Sequence, residues 1–162
     1  MKKEIISQYH ASLNMLHEAI EKCPDDLWNN NKEKITYWRI TYHALFFTSL
    51  YLSESVAKFT LWDKHKENYE CLGEVTFDKK PVIIKSSYSR KEMLEYADSI
   101  FEKCETYVNE STLNAKCGFD WLPFNDLEKH LYNIRHIQHH TGQLVERLHQ
   151  NGIEGIKWET FG

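Results

Sequence analysis

Helical periodicity in four long segments is the feature that most constrains the fold of this 162-residue chain. In the first segment, apolar residues recur at steps of three and four, which places Ile6, Leu13 and Ile20 on one helix face. The second segment is apolar on nearly every side around Leu45, as is typical of a buried helix. Together the segments predict an all-α four-helix bundle in a single domain over residues 1–162. The predicted helices are Lys3–Cys23, Lys34–Phe59, Arg90–Asn109 and Asp126–Gln150.

Residues that begin or end helices lie at the boundaries of these segments. Ser89 and Glu92 form the S-x-x-E pattern of a capping box, and Asn125 is a good N-cap for the last helix. Pro24 disfavours helical geometry in the residue before it and so ends the first helix. Asn151-Gly152 predicts a left-handed termination of the last helix.

The connection between the second and third helices is unusually long. It covers residues 60–89 and contains the β-prone run Pro81-Val-Ile-Ile. Loops of this length are uncommon in compact domains. A long crossover lets the two helices run parallel instead of forming a hairpin. After the last helix, the tail Ile153–Gly162 carries Trp158 and Phe161, which we expect to pack against the helices.

Charge and cysteine usage exclude several classes of protein. The net charge is −4 with acids and bases interspersed, so no basic footprint for nucleic acid is present. The N-terminus lacks the apolar stretch of a signal peptide. The most apolar segment, 37–52, is shorter than the roughly 20 residues of a membrane span. We expect a cytoplasmic protein with ordinary reduced thiols. No C-x-x-C zinc pair is formed by the four cysteines, Cys23, Cys71, Cys104 and Cys117.

Two histidines in the last helix form the most informative local pattern. On a helical wheel at about 100° per residue, His140 lies about 40° from His136, at the edge of the core-facing stripe, and His139 lies on the solvent side. Histidines at i and i+4 have Cβ atoms about 5–6 Å apart, so two ring nitrogens can converge on one cation. The alternative is a partly buried pair that hydrogen-bonds across the bundle. Ile137 replaces the glutamate of H-E-x-x-H, so the motif contains no general base.

A third histidine, His43, occupies the middle of the apolar second helix. Burying an imidazole there without partners costs roughly a few kcal/mol. A metal on one nitrogen and a hydrogen bond on the other would satisfy it. Together His43, His136 and His140 predict a site for one divalent cation with open positions for water or substrate, and Asn133 and Tyr132 are candidate supporting residues. The alternative for His43 is a hydrogen bond to a buried tyrosine, for which the candidates are Tyr42, Tyr51 and Tyr132.

The other histidines have simpler interpretations. We expect boundary positions for His10 and His17, which flank the apolar face of the first helix. We expect His65, His130 and His149 at the surface.

These residues resemble the DinB/YfiT-like superfamily along essentially the whole chain. The similar features are a lone histidine in an aromatic-rich second helix, N-x-x-H-x-x-H-H-x-G-Q in the last helix, and Leu-His-Glu-Ala-Ile-Glu-Lys before Pro-Asp-Asp-Leu-Trp. The resemblance implies an up-down-down-up bundle with a long crossover between helices 2 and 3. It also implies a homodimer, and His43, His136 and His140 as ligands of zinc or nickel. Members often carry arginine where this chain has Thr141, so details of anionic substrates do not carry over.

The resemblance further implies metal-dependent chemistry on a small molecule. The superfamily includes bacillithiol transferases, a mycothiol-dependent isomerase and metal-dependent hydrolases. A divalent cation suits both chemistries, since it lowers the pKa of bound water or holds a thiolate. We therefore expect a thiol transferase or hydrolase, with a low-molecular-weight thiol as a candidate cofactor. The alternative is a non-catalytic stress-response or binding module with a structural or vestigial metal site.

Overall fold

Helices form the regular structure of this protein. The computed structural model describes residues 1–162. A 3₁₀ turn at Val56–Lys58 follows the third helix. Backbone pairing elsewhere is limited to isolated bridges, such as the one between Val75 and Pro81, so the β-prone run forms no strand and the predicted all-α class is confirmed. No helix combines the length and the apolar character that crossing a membrane requires. The α-helices are α1 (Lys2–Lys22), α2 (Asp25–Trp28), α3 (Tyr37–Leu52), α4 (Arg90–Glu110) and α5 (Asp126–Gln150).

The predicted helix caps are confirmed. Ser89 Oγ accepts a hydrogen bond from the backbone N–H of Glu92, and the Glu92 carboxylate accepts from the backbone N–H of Ser89 at 2.8 Å. Asn125 Oδ1 accepts from the backbone N–H of Glu128 at 2.9 Å. Gly152 has a φ of 74° after the end of α5, a left-handed conformation that glycine adopts without strain. These contacts satisfy backbone groups that helix ends otherwise leave unpaired.

The predicted second helix, Lys34–Phe59, is too long at both ends. α3 begins after Thr36, whose backbone is extended, and ends at Leu52. Ser53 adopts extended backbone angles, and its hydroxyl donates to the carbonyl of Leu50 at 2.6 Å. A serine that bonds to the backbone in this way competes with further helical hydrogen bonds. The apolar residues beyond it therefore continue as a turn.

The four long helices enclose one hydrophobic core. α1 and α3 each pack against both α4 and α5. Leu16 of α1, Leu45 of α3 and Ile137 of α5 are fully buried in the same apolar cluster. Burial of each such side chain stabilises the fold by about 1.5–3 kcal/mol. The contact between α3 and α5 is the most extensive of these, and it brings their histidines together.

Residues 53–89 form the crossover between α3 and α4, and aromatic side chains hold it against the helices. Tyr69 and Tyr88 of the crossover are buried. Tyr88 packs against Tyr42 of α3 with ring centroids 4.7 Å apart. Hydrogen bonds from α3 reach the carbonyls of Glu70–Cys71, so this segment of the crossover lies against the helix beside His43.

The tail at residues 153–162 runs along α1. The backbone N–H of Lys157 donates to the Glu18 carboxylate at 2.9 Å. The predicted packing of Trp158 and Phe161 is wrong, because their side chains are 76% and 75% exposed. Backbone groups of the tail bond to α1, and Ile153 and Ile156, rather than the two aromatic rings, pack against the core.

Candidate metal centre

Three histidines from two helices meet at the contact between α3 and α5. His43 lies midway along α3, and His136 and His140 lie about one turn apart on α5. The Nε2 atom of His136 is 3.2 Å from that of His43 and 3.1 Å from that of His140. One nitrogen from each ring falls within a group whose members are all within 4.8 Å of one another. The three side chains are therefore close enough to bind one metal ion.

Hydrogen bonds on the outer nitrogens of two rings fix the direction of their lone pairs. Nδ1 of His43 is 2.7 Å from the carbonyl oxygen of Glu70. Because a carbonyl oxygen only accepts, Nδ1 carries the proton and Nε2 presents a lone pair to the cluster. Nδ1 of His140 donates in the same way to Oε1 of Gln143 at 2.9 Å. Both inner nitrogens are therefore able to bind a cation.

His136 completes an arrangement that a cation satisfies better than a proton does. A proton on Nε2 of His136 could pair with only one of the two facing lone pairs. Nδ1 of the same ring is buried without a hydrogen-bond partner whether Nε2 carries a proton or a cation, so it does not distinguish the two. A cation at the centre would engage all three inner nitrogens. Tetrahedral coordination with bonds of about 2.0–2.1 Å separates ligand nitrogens by about 3.3 Å, which is close to the distances of 3.2 Å and 3.1 Å from His136 to His43 and to His140.

Burial keeps the three imidazoles in their neutral form. Loss of solvent lowers the pKa of His43 to about 4 and that of His136 to about 3. The pKa of His140 is also lowered, chiefly by burial, although its hydrogen bond to Gln143 acts in the opposite direction. Metal ions bind the neutral imidazole. At neutral pH a cation can therefore bind without displacing a proton from a charged imidazole.

The three histidines differ in exposure. His43 and His136 are partly exposed, whereas His140 is buried. Phe47 of α3 packs against His43 and His136, with ring centroids 4.7 Å and 5.7 Å apart. Three protein ligands leave a coordination position open, which is the pattern of catalytic rather than structural zinc sites. The cluster includes no carboxylate.

The residues expected to support the ligands have other partners. Asn133 is fully buried and donates from Nδ2 to the carbonyl of Thr48 at 3.1 Å. The ring of Tyr132 packs edge-on against Tyr51 with centroids 5.3 Å apart. No hydrogen bond joins Asn133 or Tyr132 to a site histidine.

Glu70 and Gln143 take the supporting role, and sequence reasoning missed both. Gln143 carried a usable signal, because it follows His140 by three residues and so lies on the same helix face. Glu70 carried none. It contributes a backbone oxygen, which every residue has, and its position next to His43 depends on the path of the crossover.

Two histidines outside the site are less exposed than expected. His130 is fully buried, with Nδ1 3.1 Å from the hydroxyl of Tyr9, so its predicted surface position is wrong. The helical wheel contained this information, since it places His130 about 120° from His136, inside the apolar stripe. His65 is half-buried and hydrogen-bonds to Tyr42 at 2.6 Å. His139 is exposed, as the wheel predicts.

The cysteines show no sign of activation. Burial raises the pKa of both Cys23 and Cys104 to about 12, and it also raises the pKa of the Cys71 thiol. A thiol with a raised pKa is a poor nucleophile at neutral pH. The expectation of ordinary thiols is supported by the free state of Cys23, Cys71, Cys104 and Cys117.

Comparison of the chain with models of protein families, with curated proteins and with solved structures gives no match in any of the three. The geometry of the site therefore carries the functional argument. The fold and the site define an all-α protein with three histidines close enough to hold a metal.

Proposed function

We propose that this protein binds one divalent cation, zinc or nickel, through the Nε2 atoms of His43, His136 and His140. The convergence of three neutral imidazole nitrogens carries the proposal. Outer hydrogen bonds aim the lone pairs of two of these nitrogens at the common centre. Imidazole ligands favour zinc, copper, iron and nickel over magnesium and calcium.

The proposed role of the cation is catalytic, in a transferase or hydrolase that acts on a small molecule. The open coordination position and the partial exposure of His43 and His136 support this role. A divalent cation there supplies Lewis acidity and favours deprotonation of water or a thiol. Glu70 and Gln143 orient His43 and His140, while Phe47 covers one side of the cluster with an apolar ring. A low-molecular-weight thiol is the proposed cosubstrate of transfer.

Membership of the DinB/YfiT-like superfamily, with its up-down-down-up bundle, belongs to the same proposal. Its support is the set of four long helices, the crossover at residues 53–89, and histidines at the corresponding positions of α3 and α5. A homodimer is proposed on the same likeness. Sedimentation equilibrium of the purified protein tests it, and a monomer across the accessible concentration range would contradict it.

A non-catalytic binding or stress-response module with a structural metal site is the second candidate function. One observation favours it: the cluster includes no carboxylate, so the ligands bring no general base with them. Thiol-transfer and ester-hydrolysis assays of the metal-loaded protein separate the two candidates. If the protein is an enzyme, we expect turnover in the wild type that His136→Ala abolishes. If it is a non-catalytic module, we expect no turnover in either protein.

The metal content of untagged protein tests the site directly. We expect about one equivalent of zinc or nickel per chain in the wild type, because three inner nitrogens bind one ion. His136→Ala removes the central nitrogen, so its metal content should be near zero. His149→Ala is the matched control, because His149 lies on the same helix, is exposed and contacts none of the site residues. Elemental analysis after dialysis measures all three proteins. Equal loss of metal in both variants, or a wild type without metal, would refute the site.

A further inference from the structure

A cavity opens beside the start of α3, outside the histidine cluster. It has a volume of about 480 Å³ and lies between the segment that precedes α3 and the end of the crossover. Its lining is largely polar and includes three cationic side chains, Lys34, Arg39 and Lys85, together with Thr36. None of the three site histidines lines it.

Arg39 is the unusual member of this lining. Its guanidinium is partly buried, and no carboxylate lies within ion-pair distance of it. Its hydrogen bond runs from Nη2 to the carbonyl of Cys71 at 2.7 Å. Its Nε is buried and has no partner. Buried charges in proteins are normally paired. This partly buried guanidinium has no anionic partner within the protein.

The other polar groups of the cavity strengthen the positive charge. Lys34 and Lys85 line it without forming an ion pair. Glu33 is the one acidic residue of the lining, and its carboxylate already lies 3.7 Å from Arg147. The hydroxyl of Thr36 is buried without a hydrogen-bond partner. The cavity therefore combines three cations that form no ion pair, while the buried hydroxyl of Thr36 lies behind its surface.

We propose that this cavity binds the carboxylate or phosphate group of a small molecule, with Arg39 as the principal ligand. A guanidinium presents parallel N–H groups that match the two oxygens of a carboxylate or phosphate. The donor that remains available is Nη1 of Arg39, which makes no hydrogen bond within the protein and, unlike Nε, is not buried. Lys85 and Lys34 contribute further charge at the solvent side, where both are exposed.

The anion site adjoins the proposed metal centre. Arg39 precedes His43 by four residues, which corresponds to about 6 Å along α3. The two side chains bond to neighbouring carbonyls of the crossover, Arg39 to Cys71 and His43 to Glu70. An anionic molecule bound at Arg39 would therefore lie within about one helical turn of the metal ligand. Anion binding itself requires no metal, so the two proposals succeed or fail separately.

Side-chain NMR of the arginines tests the site in metal-free protein. The chain has four arginines, so their ¹⁵Nε–¹Hε signals are few, and the Arg39 signal is identified by its absence from Arg39→Gln. We expect the Arg39 signal to shift with saturation as inorganic phosphate, or separately acetate, is added. The Arg135 signal is the internal control, because that side chain lies against Tyr132 outside the cavity. The two probes distinguish a phosphate site from a carboxylate site.

Lys85→Gln provides a variant that does not disturb the fold, since the side chain is exposed. We expect it to weaken phosphate binding about two- to five-fold, the range for an exposed charge interaction. An Arg39 signal that does not move, or shifts of all four arginines that rise linearly without saturation, would overturn the proposal. A Glu70→Gln substitution that shifts the Arg39 signal as much as phosphate does would also overturn the proposal, because Glu70 would then be the charge partner of Arg39. Repeating the titration in His136→Ala should give the same affinity.

Discussion

The three site histidines contribute equivalent nitrogens, yet each ring is oriented differently. The outer nitrogen of His43 donates to a backbone oxygen, that of His140 donates to a side-chain amide, and that of His136 has no partner. Outer hydrogen bonds fix the tautomer of a ligand imidazole and raise its basicity, so they tune metal affinity. Of these contacts, the bond between His140 and Gln143 is the one that a substitution can remove.

Gln143→Ala should therefore weaken metal binding while leaving the three ligands in place. Loss of such a supporting group typically costs 10–100-fold in affinity, and the exposure of Gln143 favours the lower end, about 10-fold. Competition with a chromophoric chelator measures the effect. Gln138→Ala is the matched control, because Gln138 lies on the same helix and contacts Met15 instead. Equal affinities in wild type and Gln143→Ala would show that the amide does not orient His140.

At the scale of helices and loops, the sequence predicted what is local and missed what is not. The long helices were predictable because their signals are local. The apolar residues recur every three or four positions, and each cap, Ser89 or Asn125, bonds to a residue three positions later. The end of α3 was not, because apolar residues continue past Ser53 and only the bond from its hydroxyl to Leu50 reveals the stop. The loops depend on close approaches between distant segments, of which Gly118 is the clearest example.

Gly118→Ala and Gly142→Ala should change the free energy of unfolding in opposite directions. A Cβ at Gly118 would lie within van der Waals overlap of Ser55 Cβ, at 2.7 Å, and against the backbone of Glu54. We expect a loss of about 1–3 kcal/mol from this overpacking. Gly142 lies inside α5, where an added Cβ meets nothing within 4 Å, so alanine should add about 0.5–1 kcal/mol.

Urea denaturation of the metal-free variants measures both values. Each glycine serves as the control for the other, since the two substitutions add the same methyl group. Destabilisation by Gly142→Ala would mean that α5 needs the flexibility of glycine beside His140.

At the scale of the whole molecule, tertiary packing decides which histidines are sheltered. The spacing of His136 and His140 was readable from α5 alone, but their meeting with His43 required the contact between α3 and α5. The partner of His130 is Tyr9, which lies 121 residues away in the sequence. A histidine kept neutral by burial makes folding depend on pH, because the unfolded chain takes up a proton that the folded protein excludes.

The stability of the metal-free protein should fall as the solution is acidified below about pH 6.5. Burial lowers the pKa of His130 to about 4, so between that value and the ordinary one near 6.5 only the unfolded chain is protonated at this residue. Stability from this source is fully present above about pH 6.5 and is lost as the pH falls towards 4. One proton contributes a slope of about 1.4 kcal/mol per pH unit within the window.

His130→Gln should reduce the slope of the unfolding free energy against pH by up to about 1.4 kcal/mol per pH unit, the contribution of one proton. Urea denaturation of both proteins at several pH values between about 4.5 and 8 measures the slopes. This range covers the region below the usual histidine pKa of about 6.5 and the region above it. At the upper end, His130 is neutral in both states, so the difference there reports only lost packing and the lost bond to Tyr9. Parallel curves for the two proteins would show that His130 ionises in the folded state.

The oxygen that orients His43 belongs to the main chain of Glu70, and this affects how the site can be inherited and redesigned. A substitution of the side chain at position 70 leaves that backbone bond in place, provided the crossover keeps its path. An alignment of homologous sequences would therefore show no conserved residue type at position 70. An insertion or deletion in the crossover, by contrast, would displace the backbone oxygen and damage the site. A redesign that aims to keep a metal site here should therefore preserve the length and path of this loop, whatever residue stands at position 70.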